Sequence, residues 1–300
     1  MNKVVVVGTG NVGVKYAAAL ISRNSNIDEL RLVYRHKEKA QGEALDLCNK
    51  LYALGATSKI KAGTYLDAKD AKIVVIAAGV NQNKNETRLD LVKKNSKIIK
   101  DITLNIIKSG FNGIFLVASN PVDIITYLIK KYSKFPAGKV IGSGTMLDTS
   151  RLAYFISDKL EINIRDVSAY ILGEHGDSSF AVWSRAKVGS VLIREILPQE
   201  ELDKLLDKAK YMAYKIIELK NETSYGIGMC LVNITNAILN NENKVVVVSS
   251  LYDDIYLSMP SVINESGIKG VMKVELTKEE EAKLKNSAKI IRQTIKSLEE

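Results

Sequence analysis

The sequence predicts an α/β protein, with a parallel sheet flanked by helices over residues 1–142 followed by an α+β lobe over 143–300. In the first half, strand-like apolar runs alternate with helical patterns, an order that implies a parallel sheet. A glycine-rich turn joins the first run to its helix, and beyond Arg151 the pattern changes to longer helices and less regularly spaced strands. There is no internal repeat.

Val4 to Val7 is a run of valines far too short for a membrane span or a signal-peptide core, so it reads as a buried strand. It runs into Gly8-Thr9-Gly10-Asn11-Val12-Gly13, then into the alanine-rich helical stretch Val14 to Ile21 and a second strand, Leu30 to Tyr34. Strand, glycine turn, helix and strand form the context that a dinucleotide-binding fingerprint requires. Gly8, Gly10, Asn11, Val12 and Gly13 are therefore candidate cofactor contacts, since the turn lets backbone N–H groups and the helix N-terminus face a pyrophosphate. Further strands at Ile73 to Ala77 and Ile114 to Ala118 lead into polar loops, with helical patterns at Leu91 to Lys108 and Ile124 to Tyr132. Ligands of such sheets sit beyond the carboxyl ends of the strands, where Ala78, Gly79, Asn120 and Ser143 fall. These loops converge on one crevice, and 1–142 reads as a dinucleotide-binding domain of Rossmann type.

In the second half, the substrate and catalytic domain, we expect a strand-like Val167 to Leu172 and helices near Glu200 to Leu219 and Gly226 to Leu239. Strands near Lys244 to Ser250 and Val271 to Leu276 precede a charged closing helix, Lys278 to Leu298. The composition, 46% apolar and 26% charged, is that of an ordinary folded, water-soluble chain. The net charge of +9 comes from lysines spread along the chain without an aromatic-interleaved basic block. Neither nucleic acid nor a membrane is expected as a partner, while small anions would be attracted. Cys48 and Cys230 form neither a metal spacing nor a disulfide framework, which suits a reducing cytoplasm and gives no reason to expect a metal.

The chemistry concentrates at Gly173-Glu174-His175-Gly176-Asp177. His175 is one of two histidines and lies between glycines in a polar turn. An imidazole with an ordinary pKa of about 6.5 gives and takes protons near neutrality, and flanking glycines allow another molecule close approach. Asp148 and Arg151, three residues apart, share one face of a predicted helix.

Taken together, these motifs resemble the L-lactate and malate dehydrogenase family nearly end to end. The likeness rests on Gly8 to Gly13, Ser119-Asn120-Pro121-Val122-Asp123, Gly142 to Asp148 and Gly173 to Asp177. It implies reversible hydride transfer between a nicotinamide cofactor and pyruvate or L-lactate, with His175 as acid and base. It further implies that Asp148 orients the ring, that Arg151 grips the substrate carboxylate and that Asn120 meets both substrate and cofactor. Arg88 would swing in on a lid spanning Gly79 to Arg88, Thr223 would line the substrate pocket and Ile227 would touch the nicotinamide. Gln82 stands where lactate dehydrogenases carry glutamine and malate dehydrogenases arginine. A neutral amide accepts the methyl of pyruvate, whereas oxaloacetate would bring a second carboxylate without a countercharge. Malate and branched 2-hydroxy acids are the alternative substrates, the latter because Glu222 to Gly226 is similar to that branch. The resemblance also implies a homodimer or homotetramer.

One position departs from the family pattern. The acid expected at the end of the second strand, which would bond the ribose hydroxyls of NAD, is replaced by Tyr34, followed by Arg35, His36 and Lys37. Loss of the acid and gain of cations removes repulsion toward a ribose 2′-phosphate and offers it partners, so NADP stands beside NAD as a candidate cofactor, with Tyr34 and Arg35 as contacts.

Overall fold

The computed structural model describes residues 1–23, 26–80 and 88–299, with the side chains at 88–90 and 299 excepted. Gln82 and the side chain of Arg88 lie outside the described residues. The valine run makes β1 (Lys3–Val7), buried at every position, as suits a strand covered on both faces. Then come α1 (Asn11–Ser22), β2 (Glu29–Val33), α2 (Lys37–Leu54), β3 (Lys59–Ala62) and β4 (Ile73–Ile76). The first half ends with α3 (Arg88–Lys108), β5 (Ile114–Val117), α4 (Val122–Ser133) and β6 (Val140–Gly142). Neighbours in the order β6-β5-β4-β1-β2-β3 are all parallel, so Ala78, Asn120 and Ser143 emerge at one edge.

Beyond Gly142 the chain forms α5 (Met146–Leu160), β7 (Val167–Ser168), β8 (Ile171–Leu172), β9 (Phe180–Ala181), β10 (Lys187–Val188) and β11 (Val191–Leu192). The short α6 (Ile193–Ile196), α7 (Gln199–Lys220) and α8 (Tyr225–Leu239) lead to β12 (Lys244–Tyr252), β13 (Ile255–Asn264), β14 (Gly267–Val271) and α9 (Lys278–Glu299). The last three strands do not form a sheet of their own. β12 pairs antiparallel with β6 through Ser249 and Gly142, so β12, β13 and β14 extend the parallel sheet to nine strands among the described residues.

Two expectations are corrected here, and further elements were missed. Val167 to Leu172 is not one strand, because β7 pairs with β10 while β8 pairs with β9. The chain changes partner at Ala169 and Tyr170, and the Ile171 N–H is taken just beyond by the Thr149 hydroxyl at 3.0 Å. The final strand is Gly267–Val271, not Val271 to Leu276. A register shift between Val262 and Ile263 intervenes, and pairing is spent by Met272, whose N–H goes to the Pro260 carbonyl. α2 and β3 were not foreseen. α2 buries only the narrow stripe Ala40, Ala44 and Leu47 among charged residues, which blurs its period. β13 was also missed, because Ser258, Pro260 and Ser261 interrupt an otherwise apolar and almost wholly buried strand.

Helices cover both faces of the sheet. On one, α9 sets Leu284, Ala288, Ile291 and Ile295 against side chains of α3 and α4, a spacing that keeps one helical face inward. On the other, α1 and α8 pack on the valines of β1. They approach so closely at Gly228 that a Cβ there would stand 3.2 Å from the Tyr16 nitrogen, and the buried Tyr16 and Thr235 hydroxyls meet at 2.8 Å. α8, from the second half of the chain, thus shares a face with the helix that starts at the glycine turn.

The turn itself is sterically exacting. Gly8 has φ +99°, a region that favours glycine, and a Cβ on Gly13 would run into the Gly8 carbonyl oxygen. Gly10, the N-cap of α1, has nothing within 4 Å of where a Cβ would stand. Gly13→Ala should therefore cost about 2–3 kcal/mol in urea unfolding, as overpacking does, while Gly10→Ala stays within about 0.5 kcal/mol. Equal losses in the two variants would show that the turn does not depend on contact between α1 and Gly8.

Candidate active site

The start of α5 is fastened before it presents any chemistry. Thr145 donates its hydroxyl to the Ile171 carbonyl, and its N–H donates to the Ser258 hydroxyl at 3.0 Å. Gly144 has φ +54° and lies so close to β12 that a Cβ would sit 2.5 Å from the Ser249 nitrogen. One turn on, Asp148 and Arg151 are 9% and 7% exposed. Arg151 Nη1 donates to Asp148 Oδ1 at 3.0 Å, and Asp148 Oδ2 lies 2.6 Å from Nδ1 of His175. The three residues singled out in the sequence thus form one line.

His175 arrives from another direction. β8 ends at Leu172, and Gly173 bends the chain at φ +94° while pairing with Ser258 of β13. Ser287 of α9 packs so tightly on Gly173 that a Cβ there would stand 2.5 Å from its hydroxyl. The His175 side chain is 27% exposed. Its bond to Asp148 favours the neutral tautomer with the proton on Nδ1, leaving Nε2 to exchange protons with a ligand.

Electrostatics reinforce the geometry. Burial opposes charging the ring, but the Asp148 carboxylate, by charge and by hydrogen bond, and then the charge of Asp123 outweigh it, so His175 is held above the ordinary histidine value. Burial likewise opposes the charge of Asp148. There His175 and Arg151 prevail and hold the carboxyl below its usual range. The line is therefore an ion cluster that leaves Nε2 of His175 without a hydrogen-bond partner among the described residues, beside a guanidinium, and it suits acid–base work on an anionic substrate.

Most of the predicted cofactor residues lie at the edge shared by β1, β4, β5 and β6, with Tyr34 and Arg35 beyond β2 and Ile227 in α8. The first turn of α1 contains no acidic side chain, and among the described residues no side chain caps it, so its N–H groups and the open space at Gly10 suit a pyrophosphate. Asn11 is exposed and Val12 half-buried. The Ser119 hydroxyl donates to the Ala78 carbonyl at 2.5 Å, Gly79 and Asn120 are exposed, and Ser143 is buried. Tyr34 directly follows β2 and is half-buried, with the His36 ring 5.8 Å away and Lys39 Nζ 5.5 Å from its centroid. Arg35 is exposed. Thr223 lies in the turn before α8 and Ile227 in its first turn. Gly226, between them, approaches Leu147 so closely that a Cβ would sit 2.7 Å from its Cδ1, which sets this turn beside Asp148. The backbone of Arg88 begins α3.

Two residues of the site were not singled out from the sequence. Asn95, buried in α3, accepts the Val80 N–H at 2.9 Å and donates to the Asn120 carbonyl at 3.1 Å. It ties the loop after β4 to the loop after β5. Its one signal is an amide at a core-facing register of an amphipathic helix. Asp123, buried in the first turn of α4, accepts the His175 N–H at 2.7 Å. Among the described residues, no group of three or more His, Cys, Asp and Glu could hold a metal ion, and no helix is long and apolar enough to cross a membrane.

Comparison with known proteins agrees across the whole chain. Residues 2–142 match the family model for the lactate/malate dehydrogenase NAD binding domain, and residues 145–300 that for the lactate/malate dehydrogenase alpha/beta C-terminal domain. An L-lactate dehydrogenase 2 of Bacillus cereus is 46% identical over 98% of both chains. An L-lactate dehydrogenase of Borrelia hermsii is 44% identical over 99% of this chain and 98% of its own. Among solved structures, a lactate dehydrogenase from a Medee basin deep-sea metagenome library superposes with a TM-score of 0.97 at 46% identity, covering 100% and 99% of the two chains. The ligand-bound form of a minor L-lactate dehydrogenase from Enterococcus mundtii gives 0.96 at 42% identity, covering 99% and 98%.

Asp148→Ala tests the ion cluster without reference to activity. It strands Arg151 as a buried cation, which should cost about 3 kcal/mol in urea unfolding at neutral pH. Because the folded-state pKa of Asp148 is lowered, its contribution is present above the carboxylate range and lost as pH falls through the folded value. The gap between wild type and variant should narrow on acidification. A gap that is constant with pH would show that Asp148 acts through packing alone.

Proposed function

The chain belongs to the lactate/malate dehydrogenase family, and on that premise we propose that it is an L-lactate dehydrogenase. NAD is its cofactor. The observation that supports this reading most directly is the line from Arg151 through Asp148 to His175, with distances of 3.0 and 2.6 Å. Gly8, Gly10, Asn11, Val12 and Gly13 would hold the pyrophosphate, with Ala78, Gly79, Asn120, Ser143 and Ile227 along the rest of the cofactor. When bound, the nicotinamide supplies hydride to the carbonyl carbon of pyruvate or takes it back from lactate.

The residues of this chain do the rest. Arg151 spends one N–H on Asp148, and the rest of its planar guanidinium is available to hold the substrate carboxylate. Protonated His175 gives its Nε2 proton to the ketone oxygen as the carbon–oxygen π bond breaks and the new carbon–hydrogen bond forms. In the reverse direction neutral Nε2 takes the hydroxyl proton. Asp148 holds the ring in place and stabilises its cationic form. Asn120 donates to the substrate oxygen, Thr223 lines the pocket, and Arg88 polarises the carbonyl. Gln82 supports pyruvate over oxaloacetate. Exposed Leu45 and Tyr52 of α2 and Tyr211 and Tyr214 of α7 support assembly into a homodimer or homotetramer. The two free cysteines support a reducing compartment such as the cytoplasm.

His175→Gln should lower pyruvate turnover by about two to four orders of magnitude with little change in NADH affinity. In wild type, kcat/KM for pyruvate should fall as pH rises through a value above about 6.5, the ordinary histidine pKa, because only the protonated ring donates. Steady-state rates from pH 5 to 9 provide the check. Retention of most turnover by His175→Gln would end the proton-carrier assignment.

Use of NADPH beside NADH is the second reading, supported by Tyr34 in place of an acid and by the cations Arg35, Lys37 and Lys39 around it. Wild type should reduce pyruvate with NADPH at a rate measurable beside that with NADH. Tyr34→Asp should then cut kcat/KM for NADPH about tenfold, equivalent to ~1.4 kcal/mol, by setting a like charge against the 2′-phosphate while offering an acceptor to ribose hydroxyls. An unchanged cofactor ratio in Tyr34→Asp would reduce this segment to a surface cation cluster.

A further inference from the structure

Asp123 is 2% exposed and takes no part in the steps above. Its Oδ2 accepts the main-chain N–H of His175 at 2.7 Å. Its Oδ1 and the Ser249 hydroxyl on β12 are both buried and make no hydrogen bond of good geometry among the described residues, although Ser249 lies near enough to favour the charged carboxylate. A core that needed only filling gains nothing from a carboxylate with one oxygen unpartnered. Departures of this kind concentrate where a site uses them.

We propose that Asp123 is a positioning residue for the proton-transfer step, pinning the main chain of His175 and, as a second carboxylate beside that residue, favouring the protonated ring from which it donates. Two carboxylates then divide the task. Asp148, on α5, sets the ring through Nδ1, while Asp123, on α4, sets the peptide from which the ring hangs. α4 begins directly after Asn120 and Pro121, so the residue that anchors the His175 peptide lies three positions after Asn120. The far side of the catalytic loop is held differently. Ser178 donates to Glu174 Oε2 at 2.6 Å, and Ser287 of α9 donates to the Ser178 carbonyl at 2.7 Å. Those hydroxyls fix the loop, one of them through the Glu174 carboxylate.

The groups facing Asp123 are His175 and Glu174 from the loop and Ser249 from β12, with Asp148 and Arg151 of α5 behind the ring. Burial pushes the Asp123 carboxyl up to about 6, Glu174 adds to that rise, and Ser249 and His175 oppose it. Above that value it is ionised, and the charges of Asp123 and His175 support each other. As pH falls through about 6 it protonates, and the His175 N–H loses a charged acceptor.

The test reads His175 directly. The chain has only two histidines, so selective 15N-histidine labelling of the full-length protein with NADH bound gives two rings and two amides, which His175→Gln assigns. In Asp123→Asn, of the same shape but without charge, the His175 ring should titrate lower by about half a unit or more. The alkaline limb of kcat/KM for pyruvate should shift with it, and kcat should fall further than KM changes. A ring titration coincident with wild type would overturn the proposal. Should that variant fail to fold, the wild-type amide decides. Its proton should lie far downfield and move as pH is taken through about 6, the value for Asp123, whereas an amide that does not move would overturn the proposal equally. The inference rests on the proton-carrier reading of His175. Full activity in His175→Gln would end that reading, while an unshifted ring in Asp123→Asn ends only this one.

Discussion

A single buried carboxylate shared by a guanidinium and an imidazole is the constraint on which the rest of this structure depends. Asp148 gives one oxygen to Arg151 and the other to His175. The guanidinium could not be kept so far from water without it, because an unpaired buried charge is more costly than most single contacts are stabilising. Sharing also orders the cluster. The guanidinium is held in one place, the ring is held in one tautomer, and the two meet only through the Asp148 carboxylate, which one helix turn sets beside Arg151. Coupling of this kind makes each group's charge depend on the others, so the site titrates as a unit.

Holding that cluster requires elements distant in sequence to meet without tolerance for error. α5 starts where β6 ends, and Thr145 and Gly144 fix it to β8, β12 and β13. The loop that carries His175 is fixed on one side by α4 and on the other by α9, whose own start is capped by reciprocal bonds between Thr277 and Glu280. Glu280 also accepts from the N–H and hydroxyl of Ser184, so the closing helix is tied to the segment after β9 before it reaches Ser287. Rigid surroundings of this kind let a ring with a quarter of its surface open keep one orientation.

Much of this was legible in the sequence, and the reasons are local. His175 stood out because glycines flank it in a polar turn, Asp148 and Arg151 because a three-residue spacing on a helix has one geometric meaning, and the β1–α1 turn because glycine spacing there answers to sterics. Asp123 and Asn95 did not stand out as members of the site. Their roles come from contacts made across 52 and 25 residues, and no periodicity encodes such meetings. The failures at α2 and β13 have the opposite cause. There tertiary burial, or its absence, overrides the local pattern, with Leu45, Tyr52 and Leu54 exposed on α2 and serines buried on β13. The assignments of Gln82 and of the Arg88 side chain fall outside the described residues.

The pairing of Ser249 with Gly142 joins the two halves of the chain within one sheet, and this limits how the protein could be divided. A fragment ending at Gly142 would leave β6, buried at all three positions, as a bare apolar edge with unpaired backbone groups, the kind of edge that recruits other chains. Its complement would lose the strand against which β12 is laid. The halves are therefore not exchangeable modules joined at a seam. They are poor candidates for separate expression, for grafting onto other domains or for folding one after the other during synthesis, because the first is complete only once β12 has been made.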